Sequence, residues 1–207
     1  MKQVFVHGLG QLPAVWEKTL LNLRSGEEAV CPDLAALVRG REVDYGNLYK
    51  AFSDFCGGLD GPLDLCGLSL GGVLALHYAA ARPENVRSLV LIAAQYKMPK
   101  GLLKVQNALF RLMPKGMFRQ AGFEKGDFLR LCGSMAELDF TRQLSCVVCP
   151  ALILCGERDA ANRRASTELA GMLPNARLKV IKGAGHEVNA DAPKALAEAL
   201  RGFYERK

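Results

Sequence analysis

Ser69 stands in Gly67-Leu68-Ser69-Leu70-Gly71, the G-x-S-x-G spacing of a nucleophile elbow, in which a sharp strand-to-helix turn lifts a serine hydroxyl clear of a sheet. Glycine is required where a side chain would clash across such a turn. With 21 glycines in 207 residues, about 0.07 matches are expected by chance, so the pattern draws its weight from context. Residues 63–66 before it read as a strand and residues 70–80 after it as a helix, the order the elbow needs. The bland alternative is a serine that merely caps a helix.

A serine hydroxyl is a weak nucleophile without a base, and the chain offers three histidines. His77 lies eight residues along the helix that starts beside Ser69, about 12 Å of axial rise away, which excludes it. His7 closes the first strand and has no acid in a matching loop. His186, in Gly183-Ala184-Gly185-His186-Glu187, follows the last strand on a glycine-rich loop, at the carboxyl edge where open α/β sheets place ligands. The acid that orients it should end an intervening strand. Asp159 fits, with Glu157 as its rival, and the loop after Ala93 offers Gln95 and Tyr96 but no acid. Attack on a carbonyl also needs preorganised N–H donors for the oxyanion. Leu70 supplies one from the helix start, and Leu9 in His7-Gly8-Leu9-Gly10 is expected to supply the second. Trp16 is assigned either to the substrate pocket or to anchoring the first helix.

These residues need a scaffold. Apolar runs at 3–7, 63–66, 88–93, 151–155 and 178–181, with a weaker one at 29–34, predict strands buried on both faces of a parallel sheet. Helical patterns at 13–23, 70–81 and 193–204 lie between them. The alternation implies an α/β fold with a doubly wound, six-stranded, mostly parallel sheet. Residues 1–207 are read as one domain. A strandless insertion at about 95–148 is read as a short helical lid, in which Leu102, Val105, Leu109 and Leu112 outline an amphipathic helix.

In this order, His7 to Gly10, Gly67 to Gly72, Gly156 to Asp159 and Gly183 to His186 resemble the α/β-hydrolase superfamily. The chain is most similar to its small bacterial carboxylesterases, including the pimeloyl-carrier methyl ester esterases. That resemblance implies ester hydrolysis through an acyl-enzyme on Ser69, with Asp159 and His186 and without a cofactor or metal. It departs from the family in lacking two N-terminal strands, which makes residues 29–34 an edge. Pro32 suits an edge, and an exposed edge invites a homodimer as readily as a monomer. A non-catalytic receptor on the same fold would show a damaged triad, and none of the three members is missing here.

Half the residues are apolar and 23% charged, the ordinary globular range. No export signal or membrane span is read in the sequence, and seven cysteines fit a reducing cytoplasmic setting. Cys146 and Cys149 form a C-x-x-C without a second half. The net charge of +6 concentrates at residues 95–135. There, Lys97, Lys100, Lys104, Arg111, Lys115, Arg119, Lys125 and Arg130 face only Glu124 and Asp127. A basic lid would suit an acidic carrier protein beside a small-molecule ester substrate, and solvated lysines on amphipathic helices are the plain alternative. No nucleic-acid module accompanies the basic residues.

Overall fold

The computed structural model describes residues 2–23, 28–99, 101, 110–120 and 122–205. The apolar runs form six strands: β1 (Gln3–Val6), β2 (Ala29–Val30), β3 (Leu63–Leu68), β4 (Val86–Ile92), β5 (Ala151–Gly156) and β6 (Ala176–Ile181). They lie side by side in the order β2-β1-β3-β4-β5-β6, and every ladder is parallel. The doubly wound sheet expected from the sequence is therefore present. The chain steps outward from β1 to β2 and then returns across β1 to β3. Such a reversal opens a crevice at the carboxyl ends of the strands, and the loops after β1 and β3 emerge on either side of it.

Alternate strand residues face opposite ways, and two cores result. Val4, Val6, Leu65, Leu89 and Ile153 share one with Leu48 and Phe52 of α3 (Tyr45–Gly57), Leu74 of α4 (Leu70–Ala81) and Leu169 of α7 (Ala160–Met172). Phe5, Cys66, Val90 and Leu154 share the other with Leu196 and Leu200 of α9 (Pro193–Tyr204). Helices on both faces explain why β3 and β5 are buried along their whole length.

Several expectations are refined. The helix at 70–81 and the one at 193–204 have the expected bounds, while 13–23 divides into a 3-10 turn over Pro13–Trp16 and α1 (Glu17–Leu23). The strand expected at 29–34 ends after two residues. Pro32 has no N–H to continue a ladder, and the Asp33 carboxylate accepts the Ala35 and Ala36 N–H groups to start α2 (Leu34–Leu37). The longer open edge is instead β6, whose residues Arg177 to Val180 are exposed.

Between β4 and β5 the described residues add no strand to the sheet; one isolated bridge joins Lys97 and Asp139. This segment carries α5 (Lys115–Gln120) and α6 (Lys125–Ser134). Leu102, Val105 and Leu109 lie outside the described residues; Phe110 to Leu112 are helical and Leu112 is exposed. Much of the local positive charge is answered within reach. Lys97 pairs with Asp139 at 2.9 Å, Arg119 with Glu124 at 3.0 Å and Arg130 with Asp127 at 3.5 Å. Lys125 donates to the Arg111 and Met113 carbonyls at 2.6 and 2.7 Å. Asp139, beyond the basic stretch in sequence, is brought to it by the fold. All seven cysteines are thiols, Cys146 exposed and Cys149 half-buried.

Candidate active site

Ser69 joins β3 to α4 with φ 52° and ψ −116°, a conformation L residues rarely adopt and one that surrounding structure must hold in place. Its N–H donates to the Ile92 carbonyl at 2.8 Å and its carbonyl accepts the Val73 N–H at 3.0 Å. A Cβ on Gly67 would land on the Gly71 carbonyl, and one on Gly71 on the Val6 carbonyl, so only glycine lets α4 approach the sheet this closely. The Ser69 side chain makes no capping hydrogen bond. The helix-cap reading is thereby excluded, and the residue lies on the wall of a cavity of about 500 Å³.

His186 and Asp159 line the same cavity. They come from the loops after β6 and β5, and Asp159 Oδ2 lies 2.9 Å from His186 Nδ1. The carboxylate has further duties at the start of α7, where Oδ1 accepts the Asn162 N–H at 3.3 Å. Burial pushes the Asp159 carboxyl up, and the hydrogen bonds from His186 and Asn162 outweigh it, leaving the group below its ordinary value. Among the described residues, no hydrogen bond joins Ser69 Oγ to the imidazole; catalytic hydrogen bonds commonly tighten only once substrate is bound. Glu157, the rival acid, faces elsewhere and accepts the Gly183 N–H at 2.9 Å.

The loop after β1 is fixed by its own side chains. The Leu34 N–H donates to His7 Nε2 at 3.2 Å, which places the ring proton on Nδ1, 2.9 Å from the Gly8 carbonyl. That carbonyl also accepts the Gln11 N–H at 3.2 Å. In a trans peptide the N–H points opposite to the C=O, so the Leu9 N–H is turned away from His7 and Gln11. Leu9 and Leu70 both line the cavity. Among the described residues neither backbone N–H meets a backbone acceptor.

The remaining candidates fall away from the chemistry. Both ring nitrogens of His7 are occupied, and burial holds it below its ordinary value. His77 stacks on Tyr49 with ring centroids 3.5 Å apart and sits 3.1 Å from the Tyr45 hydroxyl. Trp16 does not line the cavity. It is fully buried against Phe5 in the core on the α9 face, with ring centroids 5.3 Å apart, so it anchors the first helix.

Four polar residues were not singled out by sequence motifs. Gln11 and Asn189, both buried, form a reciprocal amide pair at 3.1 and 3.2 Å, and Gln11 Oε1 also accepts the Gly8 N–H. Asn162 and Gln95 lie beside Asp159 on the cavity wall. Side-chain amides spread over distant loops carry no spacing signal. Elsewhere the wall is apolar, with Val73, Met98, Phe110, Phe128 and Met135, and includes Cys132, whose thiol burial pushes up to about 12. No group of three or more metal-ligating side chains comes together among the described residues.

A strained serine on a strand-to-helix turn, beside a histidine and acid from later loops, invites comparison with known proteins. Over 98% of its length the chain is 28% identical to a polyketide synthase, ThaQ, of Burkholderia thailandensis, of which it spans 12%. It is 27% identical to a pimeloyl-[acyl-carrier protein] methyl ester esterase of Neisseria meningitidis serogroup B, covering 99% of this chain and 93% of that protein. A solved carboxylesterase structure from the thaumarchaeon Nitrososphaera gargenis shares the fold, with a TM-score of 0.83 at 20% identity over 99% of this chain and 89% of that one. The sequence model of the alpha/beta hydrolase family matches residues 3–199. With sheet order, elbow and family model in agreement, the chain belongs to the alpha/beta hydrolase family.

Proposed function

We propose that the protein is a serine hydrolase that cleaves carboxylic esters through an acyl-enzyme on Ser69. The observation that carries this reading is the Asp159–His186 hydrogen bond on the wall of the cavity that the strained Ser69 also lines. With Nδ1–H donated to Asp159, the lone pair on His186 Nε2 is left to take the serine proton. Ser69 Oγ attacks the ester carbonyl carbon, and the proton passes to His186. The tetrahedral oxyanion is held by the Leu9 and Leu70 N–H groups, worth about 3 kcal/mol each. The C–O bond to the alcohol breaks, and His186 returns the proton to the departing alkoxide. Water, deprotonated by His186, then attacks the acyl carbon; the bond to Oγ breaks, His186 returns the proton to Ser69, and the acid is released. Asp159 stabilises the imidazolium and stays ionised throughout, in keeping with its lowered proton affinity.

Residues 95–148 act as a helical lid on a single domain, supplying Met98, Phe110, Phe128 and Met135 as the apolar wall for a modest acyl or alkyl group. Hydrolysis of p-nitrophenyl butyrate and labelling by a fluorophosphonate test the reading. Both are expected in the wild type and both are expected to vanish in Ser69→Ala. Absence of turnover and of labelling in the wild type would falsify it.

A second reading, an ester carried on an acidic protein, is favoured by the similarity to the pimeloyl-[acyl-carrier protein] methyl ester esterase of Neisseria. It also draws on Arg111 and Lys115, which have no acidic partner among the described residues. Charge reversal at Lys100, Lys104 and Arg111 then slows hydrolysis of a carrier-linked ester while sparing p-nitrophenyl butyrate. Equal effects on both substrates count against it.

A further inference from the structure

Buried carboxylates that orient a histidine need their own plane fixed, because rotation about the Cβ–Cγ bond swings the accepting oxygen off the imidazole. Asp159 is 6% exposed and Asn162 8%. Asn162 Nδ2 lies 2.9 Å from both Asp159 Oδ1 and Oδ2 and 3.1 Å from His186 Nδ1. One amide group therefore bridges the carboxylate and touches the ring it holds. Its other end is fixed too, since Gln95 Nε2 donates to Asn162 Oδ1 at 2.7 Å. The carboxylate, which only accepts, assigns the amide, placing its nitrogen toward Asp159 and its oxygen toward Gln95.

Helix capping does not account for the arrangement. Capping of α7 uses the Asn162 backbone N–H, which any residue supplies, whereas the side-chain contacts converge on Asp159 and His186. Gln95 comes from a different loop, two residues after Ala93, which has φ 50° where the chain leaves β4. Loops after β4, β5 and β6 thus meet at one buried amide.

We propose that Asn162 is a positioning residue for ester hydrolysis, locking the Asp159 carboxylate and the His186 ring in one plane, and that Gln95 holds Asn162 in place. The proposal rests on the Ser69–His186–Asp159 reading above. A donor to a carboxylate also takes up part of its charge, so the amide bears on how strongly Asp159 accepts the His186 Nδ1–H. Other charged groups near this cluster are Asp191, which accepts the Gly185 N–H at 2.7 Å, Glu187 beside His186, Arg163, which donates to the Glu157 carbonyl, and the Cys155 thiol, 3.7 Å from the Asp159 carbonyl. None is altered by substitution at 162 or 95.

The test is steady-state hydrolysis of p-nitrophenyl butyrate across pH by wild type, Asn162→Ala, Asn162→Asp, Gln95→Ala and the Asn162→Ala/Gln95→Ala double variant. Misplacing a catalytic group by up to about 1 Å costs as much as roughly a hundredfold in rate, so a loss of roughly tenfold to a hundredfold is in range. We expect kcat to fall by that range in Asn162→Ala with KM within about twofold. The acidic limb of the kcat profile moves to higher pH in Asn162→Ala and further in Asn162→Asp, where a second carboxylate favours the imidazolium. Gln95→Ala shows a smaller fall in kcat and the double variant no further loss, because the two residues act in series. A kcat and acidic limb equal to wild type in folded Asn162→Ala and Asn162→Asp overturn the proposal while leaving the Ser69 reading intact. If Asn162→Ala does not fold, an unchanged kcat in Gln95→Ala has the same force. Loss of Ser69-dependent turnover from the wild type itself removes both.

Discussion

Ser69 carries a positive φ that glycine would adopt without strain, and strain of this kind costs about 1–3 kcal/mol. Ser69→Gly is therefore expected to raise stability by about 1 kcal/mol over Ser69→Ala in urea denaturation, while both are inactive. Equal stabilities would mean that the elbow is unstrained. At this scale the serine, the acid and the histidine stood out in the sequence because each follows the end of a strand and two of them sit among glycines. Trp16 did not declare its place, since a large aromatic beside a substrate loop suits a pocket wall and a core equally, and only its contact with Phe5 decides. Asn162 and Gln95 were silent for another reason. Their role depends on three loops meeting, and no stretch of sequence contains that meeting.

Among the elements, the loop after β1 and the turn that begins α8 (Val188–Asp191) are fastened by the Gln11–Asn189 pair, 178 positions apart in the chain. Removing one amide leaves the other buried with unmet donors, which costs about 1–3 kcal/mol. Gln11→Leu and Asn189→Leu should each destabilise by that amount. The double variant should lose distinctly less than their sum, as measured by denaturant titration. Strict additivity would show that the two amides do not depend on each other. The parallel strands and the helices at 70–81 and 193–204 were legible because runs of branched residues, a proline start and alanine-rich segments state their own structure. The strand at 29–34 was misjudged in length because Asp33 caps a helix more effectively than it extends an edge.

For the whole molecule, pH dependence of stability has an identifiable source. Burial holds His77 down at about 4, from 6.5. Above 6.5 it is neutral in both folded and unfolded chains and contributes nothing to the pH slope. As pH falls from about 6.5 towards 4, the unfolded chain takes the proton first, so stability declines across that window and levels off below it. His77→Phe keeps the stack on Tyr49 but removes the titration. It loses about 1 kcal/mol near neutral pH with the Tyr45 hydrogen bond and shows a flatter decline under acid. An unchanged slope in pH-dependent urea denaturation would assign the effect elsewhere, His7 being the next candidate. Charge illustrates what the chain order hides at this scale. A tally over residues 95–135 gives a basic lid, yet folding returns Asp139 to Lys97 and sets Lys125 against backbone carbonyls.

The Cys132 thiol on the cavity wall has a practical corollary. Held protonated to about pH 12, it is a poor nucleophile, whereas Cys146 stands exposed on the surface. At pH 8 iodoacetamide should modify Cys146 and leave Cys132 untouched, as peptide mass mapping would reveal. A fluorophore can then be installed at Cys146 on the surface while the thiol on the cavity wall stays unmodified.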